Sequence, residues 1–206
     1  MTSSPLRALF VEPLAERVRG WLACGKLDDD EVDQALSAQA RAWVEGACEA
    51  TLATPLEDVE TLVALVAEQL GGETALSDLA GEIVAEWVAR APIEGLLRAA
   101  LPLADAAGFV ASQASEWLVV APDWSYAGGR EAFELRIHGL SDASPALRAL
   151  LGALLARLAA AGSKRALDVR VRGVDEAELV IAGRVVSSRL ADPADESRLH
   201  RAALVG

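Results

Sequence analysis

The spacing of hydrophobic residues changes near residue 116, and this change constrains the fold more than any other feature of the sequence. Before it, apolar residues recur three and four positions apart, as they do on the buried face of an α-helix. After it, segments alternate apolar and polar residues, as a strand with one buried face does. A leucine-rich segment of helical spacing, residues 145–162, lies among them. We therefore predict an α+β fold, in which an N-terminal helical bundle is followed by a small, mostly antiparallel sheet packed on one Leu-rich helix.

The predicted elements group into three parts. We expect an acidic helical bundle over residues 1–115, a strand–strand–helix–strand–strand unit over 116–190 and a polar tail over 191–206, with 1–190 forming one compact unit. The bundle helices are predicted where apolar faces end at a proline or glycine, over 14–23, 28–50, 54–70, 74–90, 93–101 and 103–115. Strands are predicted over 117–121, 132–138, 167–172 and 178–186, with a loop over 122–130.

The densest charge cluster is the run of four acidic residues at Asp28–Glu31. Acidic residues are typical of a helix N-terminus, where carboxylates accept hydrogen bonds from free backbone amides and offset the helix dipole. The alternative is a calcium-binding loop, which requires alternating ligands, a central glycine and a distal glutamate. That pattern is missing from the run, so we predict that it caps a helix.

The net charge of −12 belongs entirely to the helical half. Residues 1–115 hold 19 acidic and 7 basic side chains, whereas residues 116–206 hold 12 of each. Such acidity disfavours nucleic acid and anionic membranes as partners. It favours a basic protein partner; the alternative is that the acidity only keeps the protein soluble.

The sequence favours a cytoplasmic bacterial protein. It begins without a basic segment followed by a long apolar run, and no stretch has the ~20 uninterrupted apolar residues of a membrane helix. Arginine outnumbers lysine by 17 to 2, which indicates a GC-rich bacterial genome. Both cysteines, Cys24 and Cys48, lie in helical patterns with apolar neighbours and are predicted to be buried free thiols.

No motif indicates a catalytic, cofactor or metal site. The two histidines, His138 and His200, and the two cysteines are too widely spaced for a structural zinc site. Glycine-rich phosphate loops and a nucleophile elbow are missing from the sequence. We therefore predict no catalytic residue, no cofactor and no metal, and leave open an enzyme whose polar groups meet only in the fold.

Seven residues are candidates for contact with a partner. Trp124, Tyr126 and Arg130 lie in the predicted loop and are residue types enriched at binding hot spots, although their aromatic rings could instead fold back onto the core. The others occupy the polar face of the predicted sheet, where cross-strand ion pairs are the alternative role. They are Arg136, His138, Arg170 and Arg172.

The C-terminal half resembles a paralogous family of myxobacterial proteins of uncharacterised function. The resemblance is carried by SPALRALLGALLARLAAAGSKRALDVRVRGVDEAELVIAG, which has that family's closing helix, glycine break, alternating strand, acidic turn and final strand. That family is in turn similar to heme-nitric-oxide-binding and vinyl-reductase-like sensor domains. The Tyr-x-Ser-x-Arg heme motif of the nitric-oxide sensors is not found here, so the resemblance implies no heme and transfers no functional residue.

Two functions are compatible with these observations. The first is a non-enzymatic protein-interaction or regulatory module, because catalytic motifs are missing while an acidic bundle, an aromatic segment and a polar sheet face are present. The alternative is a small-molecule-binding sensor domain with an apolar pocket between bundle and sheet. Self-association through the sheet edge or the bundle is also expected to be possible.

Overall fold

The computed structural model describes residues 6–49, 53–120, 123–140, 142–175 and 178–186. The helices are α1 (Ala8–Ala23), α2 (Asp29–Ala35), α3 (Ala38–Val44), α4 (Leu56–Leu70), α5 (Glu73–Val88), α6 (Ala91–Ala100), α7 (Ala106–Leu118) and α8 (Pro145–Gly162). The strands are β1 (Leu6–Arg7), β2 (Ala53–Thr54), β3 (Asp123–Gly128), β4 (Ala132–His138), β5 (Leu167–Asp175) and β6 (Glu178–Val185). The α+β class is thereby confirmed. The predicted boundary after residue 115 falls inside α7, the division into parts stays a prediction, and the predicted tail over 191–206 lies outside the described residues.

Two side-chain caps divide the segment for which a single helix over 28–50 was expected. Asp28 accepts a hydrogen bond from the backbone N–H two residues further on and begins α2, and Ser37 caps α3 in the same way with the N–H three residues on. The chain is extended at Leu36 and Ser37, because a capping residue has non-helical backbone angles. The prediction of one helix is wrong, whereas the capping role predicted for Asp28–Glu31 is confirmed.

Two other predicted boundaries are also wrong. The first helix begins at Ala8 and passes through Pro13, because Phe10 and Leu14 on either side of the proline are both buried in the core. Of the strand predicted over 117–121, residues 117 and 118 instead end α7, in which Leu118 is buried, and Val119 forms only an isolated bridge with Leu6; residue 121 lies outside the described residues. A two-stranded antiparallel sheet of β1 and β2 was not predicted.

The main sheet is antiparallel, with the strand order β3-β4-β6-β5. The segment predicted as a loop over 122–130 contains β3, which pairs with β4 along its whole length. It forms a strand because Trp124 and Tyr126 alternate with the exposed Asp123 and Ser125, so that both rings pack against the core. The predicted β4 has the observed bounds.

The central element is α8, which packs against the sheet on one side and against α5 and α7 on the others. It is the one helix of the described residues that could cross a membrane by length and composition alone. In this fold, however, its leucines form the middle of the hydrophobic core. The fully or almost fully buried ones are Leu147, Leu150, Leu151, Leu154, Leu155 and Leu158.

Candidate functional site: a groove beside the central helix

The inner face of the edge strand β5 is incompletely covered. Its apolar residues Leu167, Val169 and Val171 lie on the side of the sheet that faces the core, yet Val171 remains 38% exposed. The neighbouring strand β6 differs, because its Leu179 and Ile181 are buried beneath α8. A strand at the edge of the sheet thus extends beyond the helix that covers the centre.

The helix wall opposite β5 is made of alanines, spaced three or four positions apart on one face of α8. They are Ala149, Ala153, Ala156 and Ala160. Their methyl groups are too short to fill the space, although Gly152 brings the helix close: a Cβ there would lie 2.4 Å from Cγ1 of Val171. An open groove of about 780 Å³ results, within the ~300–1,000 Å³ typical of ligand sites. We call it the α8–β5 groove.

Positive charge lies at the rim of the α8–β5 groove. The guanidinium of Arg157 extends towards α5, where its Nη2 approaches the carbonyl oxygen of Ser77 at 3.4 Å. It lies over Gly81, whose missing Cβ would be 3.3 Å from the Arg157 Cζ. No acidic side chain of the described residues pairs with Arg157. Arg148 also lines the groove, nearer the start of α8 by nine residues, or about two and a half helical turns.

This arrangement is suited to binding an apolar body with an anionic end. The lining combines valine, leucine and alanine with two arginines and one serine hydroxyl, and it includes no His, Cys, Asp or Glu of the described residues. Such a lining provides apolar contact and charge-assisted hydrogen bonds from a guanidinium. The apolar pocket expected from the sequence lay between bundle and sheet, whereas this groove lies mainly between α8 and the sheet, with Ser77 of α5 as the one described lining residue from the helices before residue 116.

The sequence analysis predicted other residues as contacts, and the structure places them elsewhere. Trp124 and Tyr126 are half-buried and pack against the core, which is the alternative role considered for them. The Tyr126 hydroxyl is buried, with no hydrogen-bond partner among the described residues, and lies 2.0 Å from where a Cβ of Gly108 would be. Arg130 is exposed in the β3–β4 turn, where it lines a second groove.

The other four candidates lie on the outer face of the sheet, away from the α8–β5 groove. They are Arg136, His138, Arg170 and Arg172. The three arginines form ion pairs with acidic neighbours, across strands for Arg136 and Arg172 and within β5 for Arg170. Nδ1 of His138 lies 3.5 Å from a Glu178 carboxylate oxygen. Arg136 binds Glu134 at 2.6 Å and reaches Glu178 across the strands at 3.5 Å, and the hydrogen bond that Arg136 donates to Glu134 raises the pKa of Arg136. Their role in partner binding stays a prediction.

The two cysteines differ from each other in exposure. Cys24 is exposed just after α1, so its predicted burial is wrong, because the chain turns away from the core there. Cys48 is half-buried, and its thiol donates to the Ala8 carbonyl oxygen at 3.6 Å. Burial raises the pKa of Cys48 to about 11.

The groove residues were missed because their signal is distributed over the fold. Alanines every three or four residues beside a leucine face could have indicated a thin helix surface. That surface becomes a groove only because β5 is an edge strand. Strand order is not encoded by any local pattern of the sequence.

The fold is similar to that of H-NOX proteins. A mutant H-NOX protein from K. algicida, described in its unliganded Fe(II) form, matches with a TM-score of 0.58 and 10% identity over 88% of this chain and 97% of that chain. A mutant H-NOX protein of T. tengcongensis matches with a TM-score of 0.51 and 12% identity over 88% of this chain and 98% of that one. At such identities the likeness shows the fold alone. No protein-family model and no curated protein matches the sequence, so the myxobacterial part of the resemblance finds no support.

Heme is the group bound by the nitric-oxide sensors whose motif this sequence lacks, and the described residues do not fit it either. Heme iron takes an axial ligand from His, Cys, Met or Tyr. Of these types, the described residues include His138 beside Glu178, the two cysteines, and Tyr126 beneath Gly108. None of them lines the α8–β5 groove or the second groove.

Proposed function

We propose that the protein is a small-molecule-binding sensor domain whose ligand is an apolar anion held in the α8–β5 groove. The observation that carries the proposal is the incompletely covered inner face of β5, where Val171 is exposed opposite an alanine wall and near Arg157, which pairs with no acidic side chain among the described residues. The similar fold of the K. algicida H-NOX protein, described in its unliganded Fe(II) form, supports a small-molecule-binding role in general and says nothing of where the site lies in this chain. Among the alternatives from the sequence, this favours the sensor over the protein-interaction module.

The ligand class follows from the two kinds of surface in the groove. Apolar walls stabilise a hydrocarbon or aromatic body by about 0.8 kcal/mol for each methylene removed from water. The Arg157 guanidinium can donate two parallel hydrogen bonds to a carboxylate, which orients the anionic end towards α5. A medium-chain carboxylate such as dodecanoate combines both features.

Thermal unfolding with dodecanoate and dodecanol tests the proposal. A ligand that binds only the native state, at 100 times its Kd, stabilises that state by about 2.7 kcal/mol. For a chain of this size, this corresponds to an increase in Tm of about 5–10 °C. Dodecanoate is expected to give such an increase, and dodecanol, which lacks the charge, a smaller one.

Paired variants locate the effect in the groove. Ala153→Trp fills the groove and is expected to abolish the dodecanoate-dependent increase in Tm, whereas Ala64→Trp on the exposed side of α4 leaves it unchanged. Arg157→Gln is expected to reduce the difference between dodecanoate and dodecanol, and Arg98→Gln on α6 is its control. If the Ala153→Trp variant retains the dodecanoate-dependent increase in Tm, the ligand binds elsewhere and the proposal is wrong.

The other expectations stay proposals of a more general kind. We place the sensor in the bacterial cytoplasm. A basic protein partner for the acidic helices and self-association follow only from charge and exposed edges.

A further inference from the structure

A second groove lies at the end of the molecule where several connections meet. It is formed by the α6–α7 connection, the β3–β4 turn, the α8–β5 connection and the end of β6. Its volume is about 450 Å³, and its lining is more polar than that of the α8–β5 groove. We call it the loop-end groove.

Three cations line the loop-end groove without forming ion pairs. Arg130, Lys164 and Arg165 are exposed, and none pairs with an acidic side chain in the described part of the chain. This is unusual for a protein with a net charge of −12. Two carboxylates also line the groove: Asp105, whose Oδ1 accepts the Gly108 N–H at 3.2 Å, and the exposed Glu131. The cations therefore outnumber the acids, and one of those acids is already hydrogen-bonded.

Both turns that carry these cations are fixed by hydrogen bonds. The β3–β4 turn, which contains Arg130, is closed by a hydrogen bond from the Gly129 N–H to the Ala132 carbonyl oxygen at 2.9 Å. In the α8–β5 connection, the Ser163 hydroxyl accepts the Arg165 N–H at 3.1 Å and donates to the Arg165 carbonyl oxygen at 2.9 Å. These hydrogen bonds fix the backbone positions from which the three cationic side chains extend into the groove.

The other wall of the loop-end groove is apolar and open to solvent. Leu101 is 48% exposed and Leu103 is 43% exposed, and both line the groove. Single exposed leucines are ordinary, but two that border a cationic groove provide both halves of an amphipathic surface. A small inorganic anion would leave these leucines uncovered, whereas a peptide that carries acidic and apolar side chains would cover them.

We propose that the loop-end groove docks an acidic, leucine-containing segment of a partner protein. Charge complementarity selects the occupant, since the three cations attract carboxylates while Leu101 and Leu103 accept apolar side chains. A flat anionic membrane surface fits less well, because the groove is concave. The site is separate from the α8–β5 groove except for Leu167, which borders both.

Fluorescence anisotropy with three short labelled peptides tests this docking. One peptide combines Glu and Leu, one replaces each Glu by Gln, and one replaces each Leu by Ser. The Glu–Leu peptide is expected to bind the full chain at least about tenfold more tightly than either of the others, and to lose affinity at high salt. Equal binding of all three peptides, or binding by none, would overturn the proposal.

Charge reversal shows whether the loop-end groove is responsible. The double variant Lys164→Glu/Arg165→Glu is expected to weaken binding of the Glu–Leu peptide by at least about tenfold. The control Arg90→Glu/Arg98→Glu alters net charge equally on the exposed ends of α5 and α6, and it should retain most of the binding. If both double variants weakened peptide binding equally, the effect would come from net charge alone, and the loop-end groove would not be the binding site.

Two further measurements separate the alternatives. Leu103→Ser is expected to weaken the Glu–Leu peptide but leave the weak Glu–Ser peptide unchanged, whereas a purely electrostatic surface would show no such difference. The protein should not sediment with vesicles that contain phosphatidylserine. If it bound the vesicles and not the peptide, the groove would be a membrane-binding site instead. Ala153→Trp should bind the peptide normally, so that failure of the small-molecule proposal leaves this one standing.

Discussion

The buried hydroxyl of Tyr126 gives the sharpest stability prediction of the fold. The ring of Tyr126 fills the space above two glycines, Gly108 in α7 and Gly128 in β3, and joins the sheet to the helical layer. Its oxygen is buried without a hydrogen-bond partner among the described residues. The position of the ring is therefore favourable for packing, whereas the position of the hydroxyl is unfavourable.

Tyr126→Phe is expected to stabilise the protein. A buried polar group without a partner costs about 1–3 kcal/mol, and phenylalanine keeps the ring while removing the hydroxyl. Because Tyr126 is only half-buried as a residue, we expect the lower end, a gain of about 1 kcal/mol and an increase in Tm of about 2–4 °C. Tyr126→Ala removes the ring as well and should cost about 2 kcal/mol or more.

Urea unfolding of the three proteins, followed by circular dichroism and by tryptophan fluorescence, measures these differences. Coincident transitions with both probes would justify a two-state free energy of unfolding. A loss of about 1 kcal/mol in Tyr126→Phe would refute the reasoning. Such a loss would mean that the hydroxyl has a partner in solution, with the nearby Asp105 carboxylate as the first candidate.

Three more predictions concern single positions. Burial raises the pKa of Asp105, so the stability that protonated Asp105 contributes is full below the unfolded pKa and is lost as pH rises through the folded pKa. Asp105→Asn keeps the cap, so its free energy of unfolding in urea should match or exceed that of the wild type at pH 7 and lose that advantage in acid. Asp105→Ala removes the cap and should cost about 0.5–2 kcal/mol. Gly183→Ala would place a Cβ 2.1 Å from the Phe133 ring and should lower the free energy of unfolding in urea by about 1–3 kcal/mol. Adding Phe133→Leu to this variant should restore part of that loss. If the free-energy changes of the two substitutions were simply additive in the double variant, the contact would be contradicted. At pH 8 the exposed Cys24 should react with a thiol reagent faster than Cys48, because the Cys48 pKa of about 11 leaves little thiolate. The rates are measured in two variants that each keep one of the cysteines, and equal rates would contradict the prediction.

Local patterns were sufficient for the elements whose periodicity is simple. The alternation over 132–138 predicted β4 with its observed bounds, and the leucine spacing after Ser144 predicted α8. The segment 122–130 also alternates, but its proline and glycines favoured a loop, and its aromatic residues suggested exposure. Pairing with β4 outweighs those breakers, because it satisfies the backbone and buries both rings.

The candidate site could be predicted only in outline. An apolar pocket between bundle and sheet was expected as an alternative, yet none of the seven candidate residues lines the α8–β5 groove. The groove depends on β5 lying at the sheet edge and on Gly152 setting its distance from α8. Both are tertiary relations, whereas the sequence patterns report which face of an element is buried.

Methyl NMR of the leucine and valine side chains tests the central claim most directly. With dodecanoate added, the account predicts chemical-shift changes at the groove methyls of Leu167, Val169, Val171 and Leu179, and none at the buried Val63 of α4. The Ala153→Trp variant should lose those changes. Unchanged groove methyls at saturating dodecanoate, or changes centred on another part of the fold, would contradict a ligand site between α8 and β5.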